Sequence, residues 1–184
     1  MDTLLQRFAG ALGRLNAPLA RAGRAAAAIL LAVMLALALA QILSRGLFGY
    51  SLDWTEELAR VALVWSVLLV APYAYRSGAH VAIVSFADAL SRRLLLAVSL
   101  LLNLLVAWIL AVLFRESFAF WARGLEITAA TLDLKMAWIY AIVPFAFAAL
   151  LLVALELLLR LVLELRGARS GIVMEGAMPA VTEN

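Results

Sequence analysis

At 184 residues the chain has room for one domain, yet 67% of its residues are hydrophobic and only 15% are charged, against roughly 45–50% and 25% in soluble domains. A mean hydropathy of +1.05 excludes a water-soluble globular protein, and a dispersed formal charge of +3 excludes the concentrated basic surface of a nucleic-acid binder. With no cysteine and a single histidine, thiolate or multi-histidine metal sites and cysteine nucleophiles are excluded as well. What remains is an all-α integral membrane protein.

Residues 1–24 carry Arg7, Arg14, Arg21 and Arg24, with Leu4, Phe8, Leu12, Leu15 and Leu19 at helical spacing between them. This reads as a basic amphipathic helix on a membrane surface, interrupted near Pro18, or else as a positive leader with little order. Residues 25–44 hold no charge and are long enough for a first membrane span. The basic start and apolar run also imitate a cleavable signal peptide, but the segment is expected to be retained. Ala28, Ala32, Ala36 and Ala40 form a small-xxx-small stripe suited to close helix packing.

A short loop with Gly46 and Gly49 leads to the second span, expected over residues 54–76. Asp53 followed three residues later by Glu56 has capping-box spacing, which places the helix start at Trp54. Glu56 and Arg60 stand four apart and Glu57 three before Arg60, so the three side chains are expected to meet on one face. Trp54, Leu58, Val61, Trp65, Leu68 and Pro72 form a packing stripe. The uncharged stretch 61–75 would rise only about 22 Å, short of a hydrocarbon core of about 30 Å. The charged first turn therefore belongs at the membrane boundary, facing protein or water rather than lipid.

Residues 77–93 read as a loop with a short interfacial helix, in which His80 is an interfacial hydrogen-bonding group. A third span is expected over 94–114, with Asn103 hydrogen-bonding another helix at a gain on the order of 0.6 kcal/mol. The loop 115–135 is rich in aromatics and charge: Phe118, Phe120, Trp121, Arg115, Arg123, Glu126, Asp133 and Lys135. The fourth span, 136–160, carries Pro144 and continues into a Glu156, Arg160, Glu164 ladder, the pattern of a solvated helix end. Residues 167–184 are expected to be a disordered tail.

With four spans, ten of the lysines and arginines fall on the side of the termini and five on the other. The positive-inside rule then puts both termini in the cytoplasm, and the Glu56/Glu57/Arg60 turn and the 115–135 loop outside together.

The spacing Trp54-x-Glu56-Glu57-x-x-Arg60, followed by Trp65, Arg76 and His80-Val81, resembles the signature of the small membrane subunit of the tripartite ATP-independent periplasmic (TRAP) transporters, the DctQ-like chains. The resemblance extends more weakly to the TLDLKMAWIYAIVP stretch ending at Pro144, and spans roughly residues 25–160. It implies a scaffold subunit in a bacterial inner membrane, partnered by a large DctM-like membrane subunit and a soluble periplasmic DctP-like binding protein. Substrate sites and sodium coupling would lie in the large subunit, the substrate being an organic acid or related carboxylate, and no cofactor is expected here. The resemblance assigns the motif residues to structure and to the subunit interface. Asp53, Arg115, Arg123, Glu126, Asp133 and Lys135 would help form the docking surface for the binding protein.

Two other classes compete. A self-contained four-helix exporter needs an ionisable residue in mid-membrane, whereas the first span offers only Gln41, near one end, and the other spans have no central charge. An intramembrane enzyme finds no HExxH or GxSxG motif to support it.

Overall fold

A computed structural model describes residues 2–77 and 92–166. His80, the expected interfacial helix and the tail lie outside the described residues. Within them the chain is helical apart from loops and one isolated bridge, Thr128 to Lys135. Four helical stretches are long and apolar enough to cross a membrane, which makes this an all-α, multi-pass membrane protein.

Helix α1 is Asp2–Leu43, a single run of 42 residues that passes through Pro18 without the expected interruption. Pro18 is exposed. Its ring therefore displaces no packed neighbour, and the lost hydrogen bond falls on the outer side of the helix. A π-helical turn, Ser44–Phe48, follows and is closed by Gly49, whose φ of 72° is the left-handed conformation that glycine adopts freely. Helix α1 packs along Ala9, Gly13, Asn16, Ala20, Gly23 and Ala27, alternating steps of four and three that keep one stripe inward. A β-carbon at Gly23 would run into the Leu69 carbonyl oxygen, so glycine there lets α1 and α2 approach backbone to backbone. The packing stripe is thus not the expected one. Ala28, Ala32, Ala36 and Ala40 are all exposed, on a different face of the same helix.

Helix α2 is Asp53–Arg76 and runs on through Pro72. It begins one residue earlier than expected, and the capping box does not form: Leu52 occupies the N-cap and no side chain caps it. Asp53 instead accepts a hydrogen bond from the Ser51 hydroxyl at 2.8 Å, while Thr55 donates to the Leu52 carbonyl through both its amide and its hydroxyl. Helix α3, Arg92–Arg123, continues well past the expected end at residue 114. No glycine or proline interrupts the run until Gly124. Arg115 and Glu116 sit on its exposed side, 3.4 Å apart, so they give the helix no reason to stop.

The last span is divided into α4, Met136–Tyr140, and α5, Ile142–Leu165. Pro144 has no N–H to donate to the Tyr140 carbonyl four residues back, which accounts for the break at Ala141. Helix α5 is the hub, packing on α1, α2 and α3. Its inward positions are mostly small: Ala146, Ala149, Val153 and Ala154 are buried, and Ala154 joins Ala107 and Leu110 of α3 in the core cluster.

Candidate functional site

The polar side chains of this apolar bundle collect at its two ends. At the end where α2 finishes, the chemistry centres on Glu156, which is 1% exposed. Glu156 follows Met136 by 20 residues, a rise of about 30 Å and close to one hydrocarbon thickness. A carboxylate at that depth needs polar partners, and three converge on it, two from neighbouring helices and one from its own. Arg76 of α2 donates from Nη2 to Oε1 at 3.3 Å and from Nε to Oε2 at 3.4 Å. Arg160, one turn further along α5, pairs with Oε1. Asn16 of α1 donates from Nδ2 to Oε2 at 2.8 Å and to the Leu152 carbonyl at 3.1 Å. Gly13 makes room for the cluster: a β-carbon there would lie 2.7 Å from the Arg160 guanidinium and 3.1 Å from Glu156.

This corrects the expectation of a solvated ladder through Glu156. The acid occupies the buried stripe of α5, seven residues beyond Ala149 and three beyond Val153. It ties α1, α2 and α5 together. The side chains of Arg76 and Arg160 remain 31% and 25% exposed, so the positive partners reach the bundle's rim while the carboxylate does not. Nearby, Arg24 donates to the Tyr73 hydroxyl at 2.8 Å and lies 4.6 Å from the centre of its ring.

One step deeper, Asn103 takes the interhelical role the sequence predicts. It accepts from the Tyr75 hydroxyl and donates to the Ala154 carbonyl at 3.3 Å, linking α2, α3 and α5. Trp65 likewise donates from its indole to the Ile139 carbonyl at 3.0 Å, joining α2 to the end of α4.

At the opposite end the Glu56, Glu57 and Arg60 trio separates into two arrangements. Arg60 pairs with Glu56 at 3.0 Å, and both side chains are largely exposed, 72% and 62%. Glu57 turns away to the loop between α3 and α4. There it accepts from the amides of Ala130 at 3.3 Å and Thr131 at 2.9 Å, and from the Thr131 hydroxyl. That loop is a small hairpin: Thr128 pairs with Lys135, Ala129 donates to Leu134, and Met136 donates to Ile127. Its base is tight. Ala137 donates to the Gly124 carbonyl at 2.9 Å, and a β-carbon on Gly124 would come within 2.7 Å of the Ala137 nitrogen. Phe120 and Tyr140 pack beside it, with ring centres 4.3 Å apart.

Of the expected docking residues, Glu126, Asp133 and Lys135 share the hairpin and are exposed, with Arg123 at its base beside the Phe120 ring. Asp53 is at the start of α2, near Trp54, which is 43% exposed. Arg115 stands apart on α3, about 12 Å of helix rise from Arg123. Among the described residues no group of three histidine, cysteine, aspartate or glutamate side chains is placed to hold a metal.

Sequence reasoning missed Asn16 and Glu156. The signal was there in phase rather than in composition: Asn16 interrupts the Ala9–Gly13–Ala20–Gly23–Ala27 stripe, and Glu156 repeats the period of Ala149 and Val153.

The family model of the DctQ component of the tripartite ATP-independent periplasmic transporters matches residues 34–164. Among curated proteins none matches. The matched region contains the hairpin, Glu57, Arg76 and Glu156, while Asn16 and most of α1 precede it.

Proposed function

The chain belongs to the DctQ component of the tripartite ATP-independent periplasmic transporters, and from that membership we propose that it is the small membrane subunit that braces a large transport subunit and helps dock the soluble binding protein. The complex would be sodium-coupled and would import organic acids or related carboxylates across a bacterial inner membrane, with both termini of this chain cytoplasmic. Substrate and sodium would be bound by the large subunit. This chain performs neither transport nor catalysis alone.

Beyond the family match, one observation supports the reading. The only fully buried carboxylate among the described residues, Glu156, is saturated by two guanidinium groups and an amide. A carboxylate so engaged is a brace between helices, not an open position for a transported ion. The polar chemistry inside the bundle serves to fix α1, α2, α3 and α5 to one another, while exposed charges stand on the hairpin and the first turns of α2.

The reading is tested in proteoliposomes under an inward sodium gradient, with a panel of radiolabelled organic acids and the purified soluble component. This chain together with the large subunit should take up at least one of them. This chain alone should match empty liposomes, and uptake above that level would overturn the proposal.

A further inference from the structure

The hairpin between α3 and α4 is held at two points, and the second is the unusual one. Its base is fixed by the Ala137 to Gly124 hydrogen bond and by Phe120 against Tyr140. Its tip, Ala130 and Thr131, is exposed to solvent. Backbone amides there need no protein partner, because water would satisfy them at no penalty. Instead both are bonded to one carboxylate, Glu57, from a different span and more than 70 residues away in sequence. A contact unnecessary for burial but made with both oxygens of a charged acceptor restricts where the tip can go.

The arms of the hairpin carry charged side chains beside three half-exposed apolar ones, Leu125, Ile127 and Leu134. Lys135 faces Thr128 across the bridge, Asp133 and Glu126 lie two residues back on the two arms, and all four are exposed. Flanking Glu57 on its own helix, the Glu56–Arg60 pair is exposed as well. Both signs of charge on a rigid, water-facing support suit a folded soluble partner, whose own charges can be matched in register. They do not suit lipid tails, and an anionic headgroup layer would favour one sign only.

We propose that Glu57 is the positioning residue of the docking surface: by holding Ala130 and Thr131 it pre-orders the hairpin so that Glu126, Asp133 and Lys135 meet the soluble binding component of the transporter. This rests on the function proposed above. Without the clamp the hairpin must be ordered during each encounter, and freezing one or two side chains on binding weakens an interface by about tenfold.

The experiment uses the complete complex in proteoliposomes and titrates the soluble component. For Glu57→Ala, the concentration giving half-maximal uptake should rise about tenfold, while maximal uptake and recovery of the large subunit with this chain stay at wild-type levels. Glu57→Gln, which keeps one acceptor, should fall between. A Glu126→Ala/Lys135→Ala double variant leaves the clamp intact and should raise the same concentration. An unchanged half-maximal concentration in Glu57→Ala, or in the double variant, overturns the proposal. So does a loss confined to maximal uptake or to subunit recovery, since Glu57 would then serve only the fold. If uptake by the wild-type complex ignores the soluble component altogether, the family-level reading fails first and this one with it.

Discussion

Removing both arginines from the Glu156 cluster tests whether that carboxylate is a brace. Glu156 is 1% exposed and cannot reach water, whereas Arg76 and Arg160 are 31% and 25% exposed and can turn toward the headgroups. The consequences of deletion are therefore unequal. Arg76→Ala removes two long contacts, 3.3 and 3.4 Å, and leaves Arg160 and Asn16 on the carboxylate. A hydrogen bond to a charged group contributes about 1.5–3 kcal/mol, and these lengths place the loss near the lower figure. Arg76→Ala/Arg160→Ala strands a buried charge with one amide, for which the cost is roughly 3–5 kcal/mol. The excess over the single variant comes from the charge itself. Adding Glu156→Gln to the double variant should then recover much of the stability, because the amide no longer needs a counter-charge. Thermal denaturation in detergent, followed by fluorescence-detected size exclusion, would rank wild type first, then Arg76→Ala, then the triple variant, with the double variant last. A triple variant no more stable than the double would refute the reasoning, for it would mean the arginines act by packing alone.

Three further outcomes follow from the geometry. Arg60→Ala should leave stability and subunit assembly near wild type, because an exposed i,i+4 pair is worth about 0–1 kcal/mol; co-purification of the large subunit checks this, and a marked loss would place Arg60 in the interface. Gly23→Leu should destabilise the chain strongly, since its side chain would begin inside the Leu69 carbonyl, while Gly10→Ala, with nothing within 4 Å, should be neutral or stabilising by up to about 1 kcal/mol; the same denaturation assay separates the two. Single cysteines at Ser51 and Thr128, introduced into a chain that has none, should both be labelled by an impermeant maleimide from the periplasmic side, and labelling of only one would break the four-span topology.

Span number and helix identity were legible in the sequence because they depend on a property summed over some 20 residues, which local errors scarcely disturb. The ends of the spans were not, and the reason differs from place to place. Arg115 and Glu116 look like a loop boundary, but charges end a membrane span without ending a helix, so α3 continues to Arg123 until Gly124 stops it. Pro18 is exposed and α1 passes through it, Pro72 is buried and α2 passes through it, yet the last span breaks at Ala141, three residues before Pro144. A single-residue rule cannot separate these three prolines. Side-chain partners were the least legible. Glu57 had Arg60 within reach on its own helix, three residues on, yet its bonds go to Ala130 and Thr131. A half-buried acid gains little from an exposed base, while two backbone amides on a neighbouring loop offer its two oxygens a fixed pair of donors with no side-chain entropy to lose. Glu156 shows the same principle inside the bundle. Its i,i+4 arginine suggests a solvated ladder when the helix is read alone. Its true setting follows from Arg76 and Asn16, which lie 80 and 140 residues away in sequence. Local spacing predicts which side chains can meet, and long-range packing decides which of those meetings is worth more than water.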